Sequence, residues 1–135
     1  AWGEDVCQAI FQAVYEDGTT GPQVHVAVKP GGNLWVERRT KSGEAWQPFE
    51  SGVRYAATLD KTVWRGELAV PWQALINAAN TEAFARLGRP NRPTMLKFNF
   101  VQHKRDTGES ASWAGPVDGG RDDAFSGVIV LKEPE

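Results

Sequence analysis

Two histidines stand in strongly alternating stretches. His25 lies in "QVHVAV" (23–28) and His103 ends "LKFNFVQH" (96–103). Val24, Val26 and Val28 share one parity of the first stretch, while Gln23, His25 and Ala27 take the other. In the second, Phe98, Phe100 and Gln102 oppose Lys97, Asn99, Val101 and His103. Such alternation describes a strand with one face on a core. Gln8 sits on a mixed parity of "DVCQAIFQAV" (5–14), beside Val6, Ile10 and Gln12. Imidazole and carboxamide groups can both donate and accept hydrogen bonds. The hydroxyls of a neutral sugar need both kinds of partner, and its C–H faces can stack on indole. A solvated outer face carrying Gln8, His25, Asn99 and His103, rimmed by some of the six tryptophans, would suit a saccharide. Taken singly, each of these residues also reads as an ordinary solvated side chain.

Other chemistries find less support. Ser110 and Ser112 lie in a polar turn, and no G-x-S-x-G elbow is present for a nucleophilic serine. Asp122, Asp123 and Glu67 are carboxylates without a defined acid/base pairing, so no enzyme is expected. "KPGGN" lacks the helix and Lys-Ser/Thr pair of a phosphate loop. "DGGRDD" (118–123) is a faint calcium-loop pattern, and Asp118, Asp122 and Asp123 are the residues that would hold a structural calcium. One cysteine, Cys7, cannot close an internal disulfide, and with two histidines it cannot build a zinc site alone. It reads as a small buried hydrophobe.

The totals narrow the class further. The 135 residues suit a single domain, 1–135, with 41% apolar and 24% charged side chains. A net charge of -2 supplies no basic field for nucleic acid or anionic lipid. No apolar run approaches the length of a spanning helix, so no membrane insertion is expected. The chain opens inside a strand-like pattern, which suggests a processed or partial chain.

These residues must be positioned by a largely β architecture. Strands are expected over 5–14 (a short helix being the alternative there), 23–28 and "LWVERR" (34–39), then over 53–59 and 62–72. "TKSGEAWQPFESG" reads as loop. Pro71 ends its strand because it cannot donate to a ladder. "PWQALINAA" (71–79) follows as a short helix, which "TEAFARLG" (81–88) continues or restarts until Gly88 stops it. The quoted 96–103 strand and "FSGVIVLK" (125–132) close the chain. Short strands, Gly/Pro turns and one short helix predict an all-β, antiparallel, jelly-roll-like sandwich. Trp64 and Trp72 are expected in the core, and Trp35 and Trp46 as lids over it.

Taken together, "WRGELAVPWQAL" (64–75), "LKFNFVQHKRDTGESASWAGP" (96–116), "DDAFSGVIVL" (122–131) and the opening "AWGEDVCQAIFQ" resemble the family 9 carbohydrate-binding modules and their DOMON-related kin. The resemblance spans nearly the whole chain and lacks the early strands of such modules. It implies a β-sandwich without catalysis that binds plant polysaccharide or oligosaccharide between tryptophans. By position it implies Trp2 as one stacking residue. Gln8 stands where the family often has Glu, and His25 where an Arg often helps. Val101 and His103 lie on the strand that contributes polar contacts. Trp113 matches a neighbouring tryptophan, and Arg121 lies where the second stacking Trp is expected. The resemblance also implies an extracellular, periplasmic or cell-surface setting, with attachment to a larger parent protein or a partner chain.

Two alternatives follow. The departures at Gln8, His25 and 119–121, with the open edge of an incomplete sandwich, fit an interaction subunit that keeps the fold without a sugar site. Related sandwiches carry b-type haem, for which Met95, His103, His25 or Lys97 would be the axial candidates.

Overall fold

The computed structural model describes residues 5–61, 63–88, 92–104, 108, 110–113 and 127–132. Among these, the strands are β1 (Val6–Tyr15), β2 (Gln23–Val28), β3 (Leu34–Arg39), β4 (Gln47–Pro48), β5 (Arg54–Asp60), β6 (Val63–Ala69), β7 (Pro93–His103), β8 (Ser110–Ser112) and β9 (Gly127–Val130). A 3-10 turn spans Trp72–Leu75, and one helix, α1, spans Ala78–Leu87.

The larger sheet runs β4-β3-β2-β1-β7-β8, with β9 also paired to β7, and every pairing is antiparallel. The smaller sheet is the β5-β6 hairpin. The molecule is an antiparallel β-sandwich with one α-helix. The expectation for β2 and β3 holds to the residue. At the 3-10 turn the sequence reading needs correction. Ile76 and Asn77 return to extended backbone, so 71–79 is not a continuous helix. Asn77 instead caps α1, accepting from the Asn80 amide at 3.0 Å while Asn80 Oδ1 accepts from the Asn77 amide. Gly88, with φ of 64°, ends the helix as expected. The short β8 was also not expected. It pairs Ser110 to Ser112 with His103 to Val101.

Side chains directly opposite in a ladder share a face. The inner face of the large sheet carries Cys7, Phe11, Ala13 and Tyr15 of β1, Val24, Val26 and Val28 of β2, and Leu96 and Phe98 of β7. Most of these join Leu75, Phe84, Tyr55, Trp64 and Val70 in the main core. Polar atoms at this boundary are satisfied. Tyr15 donates to the Leu75 carbonyl at 2.7 Å, Trp64 Nε1 to the Tyr55 hydroxyl, and Tyr55 to the Lys29 carbonyl. Gly21 permits the closest approach: a Cβ there would stand 2.0 Å from the Leu75 carbonyl oxygen. Trp64 therefore packs as expected. Trp72 does not; it opens the 3-10 turn and is 53% exposed.

A buried polar layer and the cleft beside it

The opposite, outer face of the large sheet carries the residues singled out for sugar chemistry. The β1 register places Gln8 beside Ala27 and Val101, Ile10 between His25 and Asn99, and Val6 beside His103. On β3, Glu37 faces His25 and Arg39 faces Gln23. Glu37, His25, Ile10 and Asn99 thus form one transverse row across four strands.

Sequence parity assigned this face correctly but not its solvation. Gln8, His25 and Asn99 are 8%, 3% and 0% exposed, and Gln12, Gln23 and Glu37 are buried with them. β1, β2 and β7 are interior strands of a wide sheet, so neighbours flank these side chains on both sides. The loop between β3 and β4 also folds Trp46 over the layer, its ring 5.6 Å from that of His25. A lid was expected for Trp46, but over the apolar core; it covers the polar side instead. Trp35 points to this same face from β3 and is largely exposed, so it is not a lid.

Burial of polar groups is tolerated when they are mutually bonded. His25 Nδ1 lies 3.0 Å from Glu37 Oε1, and Nε2 lies 2.8 Å from Gln8 Oε1. Both partner atoms are acceptors. In this arrangement both ring nitrogens donate, the ring is an imidazolium, and it forms a buried ion pair with Glu37. With the Gln8 amide turned, a neutral ring is also satisfied. Either way, both ring nitrogens are occupied by protein groups, which leaves neither to ligate an iron. Gln12 donates to the Gly21 carbonyl, and Asn99 Oδ1 accepts from the Phe100 amide. Arg39 Nε donates to the buried Gln23 at 2.6 Å, and its guanidinium lies 4.3 Å from the centre of the Trp46 ring. His103, half-buried, shares the face at the far end of β7.

The structure does not bring Trp113 into this group. The Trp113 amide donates to the Phe100 carbonyl, and its ring packs 5.4 Å from Phe98 on the inner face. Gly127 sits against it, where a Cβ would come within 2.5 Å of the indole. Trp2, Arg121 and the calcium candidates Asp118, Asp122 and Asp123 lie outside the described residues.

Beside the layer opens a cleft of about 370 Å³, lined by residues including Arg38, Arg39, Thr40, Glu44, Gln47 and Asn77. Its place follows from β3, which delivers two successive arginines to the mouth of a loop. Arg38 lies 4.5 Å over the Phe49 ring, as Arg39 lies over Trp46. Sequence reading missed Glu37, Trp46 as cover for the polar face, and this cleft. The "KPGGN" turn did hold the signal for Glu37. It pairs Val28 with Leu34, and three steps back along β2 meet three steps forward along β3 at His25 and Glu37.

No family model matches the chain, and no curated protein matches it. Among solved structures, it is similar to a Bacteroides uniformis protein provisionally described as carbohydrate-binding. The match has a TM-score of 0.60 at 14% identity and covers 97% of this chain and 63% of that one. At this identity the likeness concerns the fold, and the chain spans less than two thirds of its neighbour's length. Among the described residues, no helix is long and apolar enough to cross a membrane.

Proposed function

We propose that this chain is a non-catalytic carbohydrate-binding domain, akin to the family 9 modules that its motifs resemble, taking fragments of plant polysaccharide. The observation that carries the reading is the cleft at the end of β3. Its hydroxyl, amide, carboxylate and guanidinium groups gather beside an internally bonded polar layer, to which Arg39 is tied through Gln23. A polyol needs donors and acceptors held in fixed positions, because each side chain ordered on binding costs affinity. In this reading Gln8, His25 and Asn99 are support beneath the binding surface. His103, with Trp2 and Arg121 as the resemblance supplies them, would extend the contacts, and Trp113 would offer a stacking surface on the other face. The similarity in fold to a protein described as carbohydrate-binding supports the same direction. It also fits a cell-surface or secreted setting. The test is a glycan array of plant-polysaccharide fragments followed by calorimetry. Micromolar binding to one glycan class is expected, and absence of binding across the array overturns the reading.

A second reading, an interaction subunit, is favoured by a separate observation. A two-stranded sheet cannot cover a seven-stranded one, and Phe100, Trp113 and Ile129 remain exposed on the inner face. Self-association or insolubility of the isolated chain, relieved by a partner, would support it.

A further inference from the structure

We infer that the cleft at the end of β3 selects an acidic sugar, a hexuronate unit, with Arg38 receiving its carboxylate. This rests on the carbohydrate-binding reading above and adds the charge class of the ligand.

The argument starts from Arg38. Its guanidinium carbon lies over Phe49, 4.5 Å from the ring centre. It lines the cleft, and no carboxylate pairs with it among the described residues. A guanidinium stacked on one face keeps its N–H edge for ligands, and that fork matches the two oxygens of a carboxylate. Arg39, on the opposite face of β3, contributes a second positive charge to the cleft lining. It is held from below by Gln23, itself 1% exposed, so the charge is fixed by the fold and not by a mobile surface chain.

The remaining lining distinguishes a sugar from a simple anion. Thr40, Gln47 and Asn77 offer hydroxyl and amide groups, and Pro22 and Pro48 present apolar walls. Glu44 is tied to the Thr40 amide through Oε2 at 3.2 Å, which leaves Oε1 to accept from a hydroxyl. A small inorganic anion would leave most of about 370 Å³ empty. Arg38, Arg39 and Glu44 are the charged groups of the lining, two positive and one negative. Their sum of +1 matches the single charge of one uronate.

The test is calorimetry of the intact chain with trigalacturonate, its methyl ester, a neutral xylo-oligosaccharide and acetate. The acid should bind at least ~10-fold more tightly than the ester, a difference that shrinks as salt rises. Arg38→Ala should erase that preference. Arg38→Lys should recover only part of it, because it restores charge without the fork. Arg38 is exposed, so both variants are expected to fold, which circular dichroism checks. Equal binding of acid and ester overturns this inference and leaves the carbohydrate reading standing. Acetate competing as well as trigalacturonate, per carboxylate, would overturn the sugar reading and make the cleft a plain anion site. No binding by any of the four would overturn this inference, and the array then decides the broader reading.

Discussion

Across the β2–β3 ladder, His25 and Glu37 stand opposite one another, with Nδ1 3.0 Å from Oε1 and both side chains buried. A buried ion pair is poor proof of stability, because desolvation offsets much of the attraction. It does make the row sensitive to losing one member. The layer holds its polar atoms by mutual bonding, with Gln8 on the other nitrogen of the same ring.

Glu37→Leu should therefore destabilise the fold by about 1–3 kcal/mol, the cost of stranding a buried polar partner. Urea denaturation measures the loss. A double-mutant cycle with His25→Leu should show a coupling energy of at least ~0.5 kcal/mol, since the two groups touch. Additive losses would mean that the pair contributes nothing beyond its separate packing.

How much of this was legible beforehand differs by level. Strand positions were, because alternation such as Val24, Val26 and Val28 marks a face by itself. The grouping of Gln8, His25, Asn99 and His103 on one face followed from the same parity. Their burial was not legible. Parity tells which side a residue takes and nothing about what covers that side. The cover is a loop, and a loop's path depends on contacts that it alone makes, here Trp46 against His25 and Arg39. Trp72 failed for a related reason. Its neighbour Leu75 takes the buried position of the 3-10 turn and leaves the indole outside.

Gly21→Ala tests the closest approach in the core. The added methyl would meet the Leu75 carbonyl oxygen at 2.0 Å, backbone against backbone, with no flexible side chain to give way. Overpacking of this kind costs about 1–3 kcal/mol. The hydrogen bond from Tyr15 to the same carbonyl should weaken with it. A lowered Tm with reduced near-ultraviolet dichroism of tyrosine is expected. An unchanged Tm would mean that the 3-10 turn moves away freely.

Asn80→Ala should also destabilise, by about 1–3 kcal/mol, for a different reason. The Asn80 side chain is fully buried and ties α1 to the β1–β2 connection. It accepts from the Asn77 amide and donates to Thr19 Oγ1 and the Thr20 carbonyl. Asn77→Ala removes the N-cap and should cost about 1 kcal/mol. Hydrogen exchange would show faster exchange in the first turn of α1 for both variants, and only Asn80→Ala should extend the effect to residues 19–20.

Alkaline pH should unfold the chain through two protonated groups of the inner face. Burial, with the Asp5 charge adding to it, raises the Cys7 thiol from 9.0 to about 11. Burial raises the Tyr15 hydroxyl from 10.0 to about 12. In both cases the unfolded chain releases its proton first. It then binds fewer protons than the folded chain, and stability falls as pH rises. The contribution is fully present below about pH 9 and declines as pH passes through the folded values. The urea midpoint should accordingly drop between about pH 9 and about pH 12, and Cys7→Ala should remove the earlier part of that drop. The same raised thiol predicts slow alkylation of native Cys7 at neutral pH, because the thiolate is the nucleophile. Alkylation of the native chain as fast as that of the urea-unfolded chain would show that Cys7 is not held in the apolar setting that Phe11 and Val28 share with it.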